Sequence, residues 1–183
     1  MRLTLFSNPA CASLAFAALA TLISVLGAAA AVSAAEDGPI VAEGVIDAPI
    51  AEVWNAWATS EGLAAWLAPQ ADIDLRVDGL MRANYDPKGA LGDAGTIENR
   101  ILSFEPERML SIRVAKAPES FPFKAKVGEM WTVLYFQPAE TKRTALRIVG
   151  LGFGADEESR RMREFFQQGN AFTLEQLRKH FQK

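Results

Sequence analysis

Nucleophilic triads and most zinc sites are built with histidine or cysteine, and this chain holds one of each. Cys11 sits in Asn8-Pro9-Ala10-Cys11, ahead of an apolar run, and His180 stands at the far end. Helical spacing puts His180 on an apolar arc near a helix C-terminus, where an imidazole is favourable. It reads either as a half-covered terminal ring or as a hydrogen-bond donor into a cavity. Neither residue has the second group that thiolate redox or nucleophile–base chemistry needs.

Asp72 and Asp74 are two apart in an alternating stretch, so they share one face of a strand and could form an acid–base pair. Ile73 and Leu75 take the other face, which makes the aspartates read as the solvated side. Gly150-Leu151-Gly152-Phe153-Gly154 follows a predicted strand and mimics a dinucleotide fingerprint. A true fingerprint needs a second strand with an acidic residue about 20 positions on, whereas this chain runs out in a helix. The glycines read instead as a bend that turns the last helix back across the sheet. Trp54, Trp57, Trp66 and Trp131 read first as core residues.

The elements that must position these groups begin after a leader. Met1-Arg2 precedes an apolar stretch from Leu14 to Val32, and no charge falls between Arg2 and Glu36. That is the layout of a secretory signal at residues 1–35, cleaved after Ala35; the alternative is an uncleaved anchor, since about 19 apolar residues just cross a bilayer. Residues 36–183 then form one domain, expected in the periplasm or outside the cell, with no membrane span once the leader is removed. That domain has no cysteine and must rest on its core. The leader takes one of the 19 basic residues and none of the 22 acidic ones, so the remainder is mildly acidic. Such a balance points away from nucleic acid and anionic lipid.

Ile40 to Asp47 is β-prone and stops at Ala48-Pro49, where proline suits a first helical turn. Val53, Trp54, Trp57 and Ala58 recur at helical spacing, and Thr59-Ser60-Glu61 starts a second short helix ending near Leu67. From Ala71 the period becomes two through Val77, and Asp78-Gly79 supplies a two-residue hairpin turn before Leu80 to Tyr85 returns. Lys88 to Gly95 is a loop. Strands are expected at Thr96 to Phe104, Met109 to Ala115, Glu129 to Gln137 and Thr144 to Leu151. From Asp156, Met162, Phe165, Phe166, Gly169, Phe172, Thr173, Leu177 and Phe181 form a broad apolar arc of period 3.6. Gly169 inside it reads as a place where helix and sheet approach closely.

Several segments carry a resemblance: Ile46-Asp47-Ala48-Pro49 leading to Val53-Trp54, Ser60-Glu61-Gly62-Leu63 to Trp66, Leu75-Arg76-Val77-Asp78-Gly79, Leu102 to Leu110, and Gly169-Asn170-Ala171-Phe172 with Leu174 and Leu177. Together they resemble the family of activators of heat shock protein 90 ATPase homologues, within the START, polyketide-cyclase and birch-pollen-allergen-like superfamily. Gly62 departs from the pattern, which often has a larger residue there. The resemblance implies an α+β helix-grip fold: a curved antiparallel sheet wrapped around a long C-terminal helix, with two short helices after the first strand. The family's title also implies a cytosolic chaperone partner, which the export signal argues against.

If Leu102 and Phe104 face inward, as the family's strand implies, a period of two carries Arg100 and Glu98 inward with them. Buried charges need partners, so these two would meet each other, Arg82, or the polar head of a ligand; the alternative is that the strand ends splay and both reach solvent. In this fold the small helices cover one mouth of the cavity, which puts Trp66 there. The expected lining is Phe104, Leu110, Ile112, Leu146, Ile148, Phe165 and Phe172, with Arg100 as anchor for an acidic head and Glu98 beside it. The function expected is the binding of an apolar or amphipathic small molecule, such as a fatty acid, with no cofactor, no metal and no catalytic residue. One rival is a cyclase- or hydrolase-type enzyme using Glu98, Arg100 and Tyr85. Another is a protein-binding module presenting Val133, Tyr135 and Val149 on its outer face.

Overall fold

The alternating stretches of the sequence join into one antiparallel sheet in a computed structural model that describes residues 38–182. The leader, its cleavage point and Cys11 lie outside the described residues. The strands are β1 (Ile40–Ile46), β2 (Gln70–Ile73), β3 (Leu80–Asn84), β4 (Ile97–Glu105), β5 (Met109–Lys116), β6 (Trp131–Pro138) and β7 (Thr144–Leu151), in the order β1-β7-β6-β5-β4-β3-β2. Two short helices, α1 (Ile50–Ala58) and α2 (Ser60–Trp66), follow β1, and a long helix, α3 (Glu157–Phe181), closes the chain. This is the expected helix-grip architecture. Among the described residues no helix is long and apolar enough to cross a membrane.

Thr59 makes the elbow between the short helices. Its Oγ1 donates to the Asn55 carbonyl at 2.8 Å and accepts from the Gly62 N–H at 3.0 Å, ending α1 and capping α2 together. A Cβ at Gly62 would come within 2.1 Å of the Asn55 carbonyl oxygen, so the tight elbow requires glycine at this position.

Asp156 caps α3, accepting from the Ser159 N–H at 3.1 Å and from Lys126 Nζ at 2.7 Å. The Lys126 ammonium, followed by the Ser159 hydroxyl and N–H, holds the Asp156 carboxyl well below the usual carboxylate range. The helix lies closest to β1, and Gly169 makes no close approach there; the crowded glycine is Gly44, against the Arg178 guanidinium. A Cβ at Gly44 would sit 2.1 Å from Arg178 Nη2, whereas one at Gly169 meets nothing within 4 Å. Arg178 threads this gap and donates from Nε to the Val45 carbonyl at 3.2 Å. Gly152 supplies the expected bend after β7, with φ +83 and the Trp131 ring 2.7 Å from where a Cβ would stand.

Two departures from simple alternation shape the rest. β2 ends at Ile73 instead of Val77, so the hairpin has a longer loop than the two residues expected. Asp78 takes a positive φ of 64°, its N–H donates to the Ile101 carbonyl at 2.9 Å, and the Ile101 N–H donates to the Gly79 carbonyl at 2.9 Å. The loop tip thus pairs with β4 and not with its own strand. β4 itself is bulged: Ile101 pairs with Ile112 but Ser103 pairs with Ser111, leaving Leu102 as the extra residue, and Ala115 of β5 is the extra residue at a second shift.

The concave face carries the core in two clusters. Ile46, Val53, Trp54, Leu134, Phe136, Leu146 and Leu177 pack together in one. In the other, Phe123, Val127, Met130 and Met162 join Phe121, Phe153 and Phe166, from the segment after β5, the bend after β7 and the first half of α3.

Candidate functional site

Where the two clusters meet, the concave face is not filled. A cavity of about 170 Å³ remains, lined from the sheet by Met81, Ala83, Ile97, Ile112, Leu134 and Ile148, from α1 by Trp57, from α3 by Phe166, Asn170 and Thr173, and at its rim by Tyr85 and Phe121. Small side chains at Ala83, Ala117, Thr132 and Thr173 leave this space. An engineered apolar void of about 150 Å³ suffices for benzene, so the volume suits a ring-sized group and not an extended acyl chain.

No lining side chain is ionised at neutral pH. The polar groups are Tyr85, Asn99, Thr132, Asn170, Thr173 and the Trp57 indole. Tyr85 alone among the lining residues is exposed, at 56%, and marks the opening. The protein around its phenol raises its pKa, so the hydroxyl stays protonated as a neutral donor. The neighbouring loop is pinned by buried Asn84, which donates to the Ala90 carbonyl at 3.1 Å and to Asp93 Oδ1 at 2.8 Å. N–H groups of Ala90 and Gly95 hold the Asp93 carboxyl below its ordinary pKa, and this network fixes the rim beside Tyr85.

Two buried side-chain polar atoms lack any partner among the described residues, Trp57 Nε1 and Asn170 Nδ2, and both residues line this cavity. A buried donor without an acceptor costs about 1–3 kcal/mol. Trp57 is held by α1 and by an edge-on contact with Trp66, ring centroids 4.8 Å apart. The sequence places Trp57 in the core and Asn170 in the closing helix, neither of them as a site residue. The signal for Asn170 was a polar side chain four residues after Phe166 and four before Leu174, on the stripe that faces the sheet; for Trp57, only its place on the inner side of a short helix.

The expected site residues are divided by the fold. Ile112 and Ile148 line the cavity. Leu110 and Leu146 face inward but are wholly packed in the larger cluster, and half-buried Phe104 rests against it. Phe165 and Phe172 are 45% and 65% exposed, which corrects their placement; an arc as wide as that of α3 wraps past its contact surface, and the facing stripe is Met162, Phe166, Asn170, Thr173 and Leu177. Trp66 does not stand at the mouth, because its Nε1 donates to the Ala56 carbonyl at 2.9 Å and locks it behind Trp57. His180 is half-buried against Phe181 and away from the cavity lining.

Glu98 and Arg100 are the largest correction. The extra residue at Leu102 reverses the alternation, so Phe104 faces the core while Ile97, Asn99 and Ile101 face it on the other side of the bulge. Glu98 and Arg100 therefore point outward. Glu98 meets Lys116 at 3.7 Å, Arg100 meets Asp78 at 3.9 Å, and Arg82 pairs with Asp72. The constellation of Glu98, Arg100 and Tyr85 is not assembled. Asp74 is solvated as expected and paired with Arg76.

A family model described as Activator of Hsp90 ATPase homolog 1-like protein matches residues 47–182. The chain belongs to this family. Among curated proteins no match is found. Protein MLL2253 from Mesorhizobium loti is similar in structure, with a TM-score of 0.61 at 22% identity over 78% of this chain and 96% of that one. The Aha1 dimer from Colwellia psychrerythraea gives 0.61 at 13% identity over 79% and 96%. CalU16 from Micromonospora echinospora gives 0.54 at 24% identity over 76% and 71%. Likeness at these identities shows the helix-grip fold of this family member and leaves its ligand to the cavity.

Proposed function

We propose that this protein is exported and binds an apolar or amphipathic small molecule of about one or two rings in the cavity between its sheet and α3. The observation that carries the reading is the lining: apolar walls, a few neutral polar groups and no ionised side chain. An acidic head would have no cation to meet there, because Arg100 is on the outer face. Fatty acids therefore give way to compact, uncharged ligands as the expected class.

Native mass spectrometry of gently purified protein tests this, with a co-purifying small molecule as the expected result. A panel of neutral bicyclic compounds should also change tryptophan fluorescence. An absence of binding across the panel would overturn the reading. Protein recovered from its native host should lack residues 1–35 by mass; a full-length, membrane-bound product would overturn export.

A second reading has one observation behind it. Tyr85 is the single titratable side chain in the lining, and a cyclase- or hydrolase-type reaction could use its phenol as a donor. Turnover that disappears in Tyr85→Phe while ligand affinity persists would establish the enzyme.

A further inference from the structure

Resting on the cavity reading above, we infer that the ligand is a neutral ring compound bearing a carbonyl, and that Trp57 Nε1 and Asn170 Nδ2 grip that oxygen. The indole N–H fixes the polarity, since it donates and has no lone pair to accept with. Trp57 is only 4% exposed, and its Nε1 has no acceptor among the described residues. Asn170, from a different element, α3, lines the same cavity, and its buried Nδ2 likewise has no acceptor among the described residues. A carbonyl oxygen carries two lone pairs and can take one hydrogen bond from each donor. An ionised carboxylate would satisfy both donors too, but its charge would be buried against a lining without a cation, which is far more costly than burying a ketone.

Such a site discriminates on the acceptor and not on the ring. It would take a ketone, quinone or lactone in preference to the parent hydrocarbon, because the hydrocarbon leaves both donors unpaired. Asn170 can turn its amide, whereas Trp57 cannot change its role, so Trp57 sets the selectivity.

The experiment is calorimetric titration of the purified protein with three probes of one skeleton, indane, indanone and indane carboxylate, alongside nitrogen-15 spectra of the tryptophan indoles. Indanone should bind about tenfold more tightly than indane, and indane carboxylate no better than indane. The Trp57 Nε1–H resonance should move downfield with indanone and stay in place with indane. Asn170→Leu and Trp57→Phe should each narrow the indanone preference while indane still binds; Asn170, half-buried on α3, is the variant that keeps the test open if Trp57→Phe does not fold. Equal affinity for indane and indanone with an unmoved resonance would overturn the inference and leave the cavity reading standing, with Trp57 a core residue facing Trp66. A carboxylate that binds best would overturn the neutral-carbonyl assignment. Failure of all three probes would overturn the cavity reading itself.

Discussion

The two ends of the concave sheet face are built alike and packed differently. Around Trp54 and Phe136 the face is solid: the two rings meet edge-on at 5.3 Å, and Val53, Leu146 and Leu177 are wholly or almost wholly buried beside them. Around Ala83 the same sheet is hollow, and Ala117, Thr132 and Thr173 line the void with it. Both ends have the curved sheet and the long helix. What differs is side-chain volume. Curvature alone therefore does not make a binding site in this fold; small residues opposite one another do.

Deleting the bulge residue Leu102 should have the largest effect on this contrast. Either Glu98 and Arg100 would turn into the cavity end or Phe104 would leave the packed end, and we expect a loss above about 4 kcal/mol, read as an insoluble chain or absent unfolding transition. Leu177→Ala, in the packed end, should cost about 2–5 kcal/mol in denaturant titrations. Ala83→Leu fills the hollow end: stability should stay within about 1 kcal/mol of the parent while indanone affinity falls at least about tenfold. A large loss of stability there would show that the void is smaller or more rigid than described. Arg100→Ala and Glu98→Gln should change stability by no more than about 0.5 kcal/mol and leave ligand affinity alone, since both side chains are outside.

The smallest effect expected is electrostatic. The Asp156 carboxyl is depressed in the folded protein, so its contribution is complete above the ordinary aspartate value of about 3.9 and is lost as pH falls below it. Acid titration of Asp156→Asn should accordingly show a flatter stability profile below about pH 4 than the parent, with the two converging at the acid end. Identical profiles would show that the Lys126 contact does not anchor α3.

Much of this was legible in the residues. Amphipathic spacing places α1 and α3, the Thr59 elbow announces itself as a capping residue, and the period-two runs locate the strands, because local backbone preference and a one-sided core leave few alternatives. The family resemblance added the order of wrapping. Trp57 and Asn170 were not legible as a pair, since they are far apart in the chain and are brought to one cavity only by α1 and α3 meeting the same sheet face.

What the sequence determined by itself was the set of elements and the scarcity of reactive side chains, for both follow from residue type and local periodicity. The tertiary structure alone decided which face of β4 carries charge, because one unpaired residue at Leu102 inverts the alternation and nothing in Ile101-Leu102-Ser103 marks that residue as extra until β5 pairs beside it. It also decided where the core stops. Packing depends on the summed volume of side chains from distant segments, and that sum falls short where Ala83, Ala117, Thr132 and Thr173 converge.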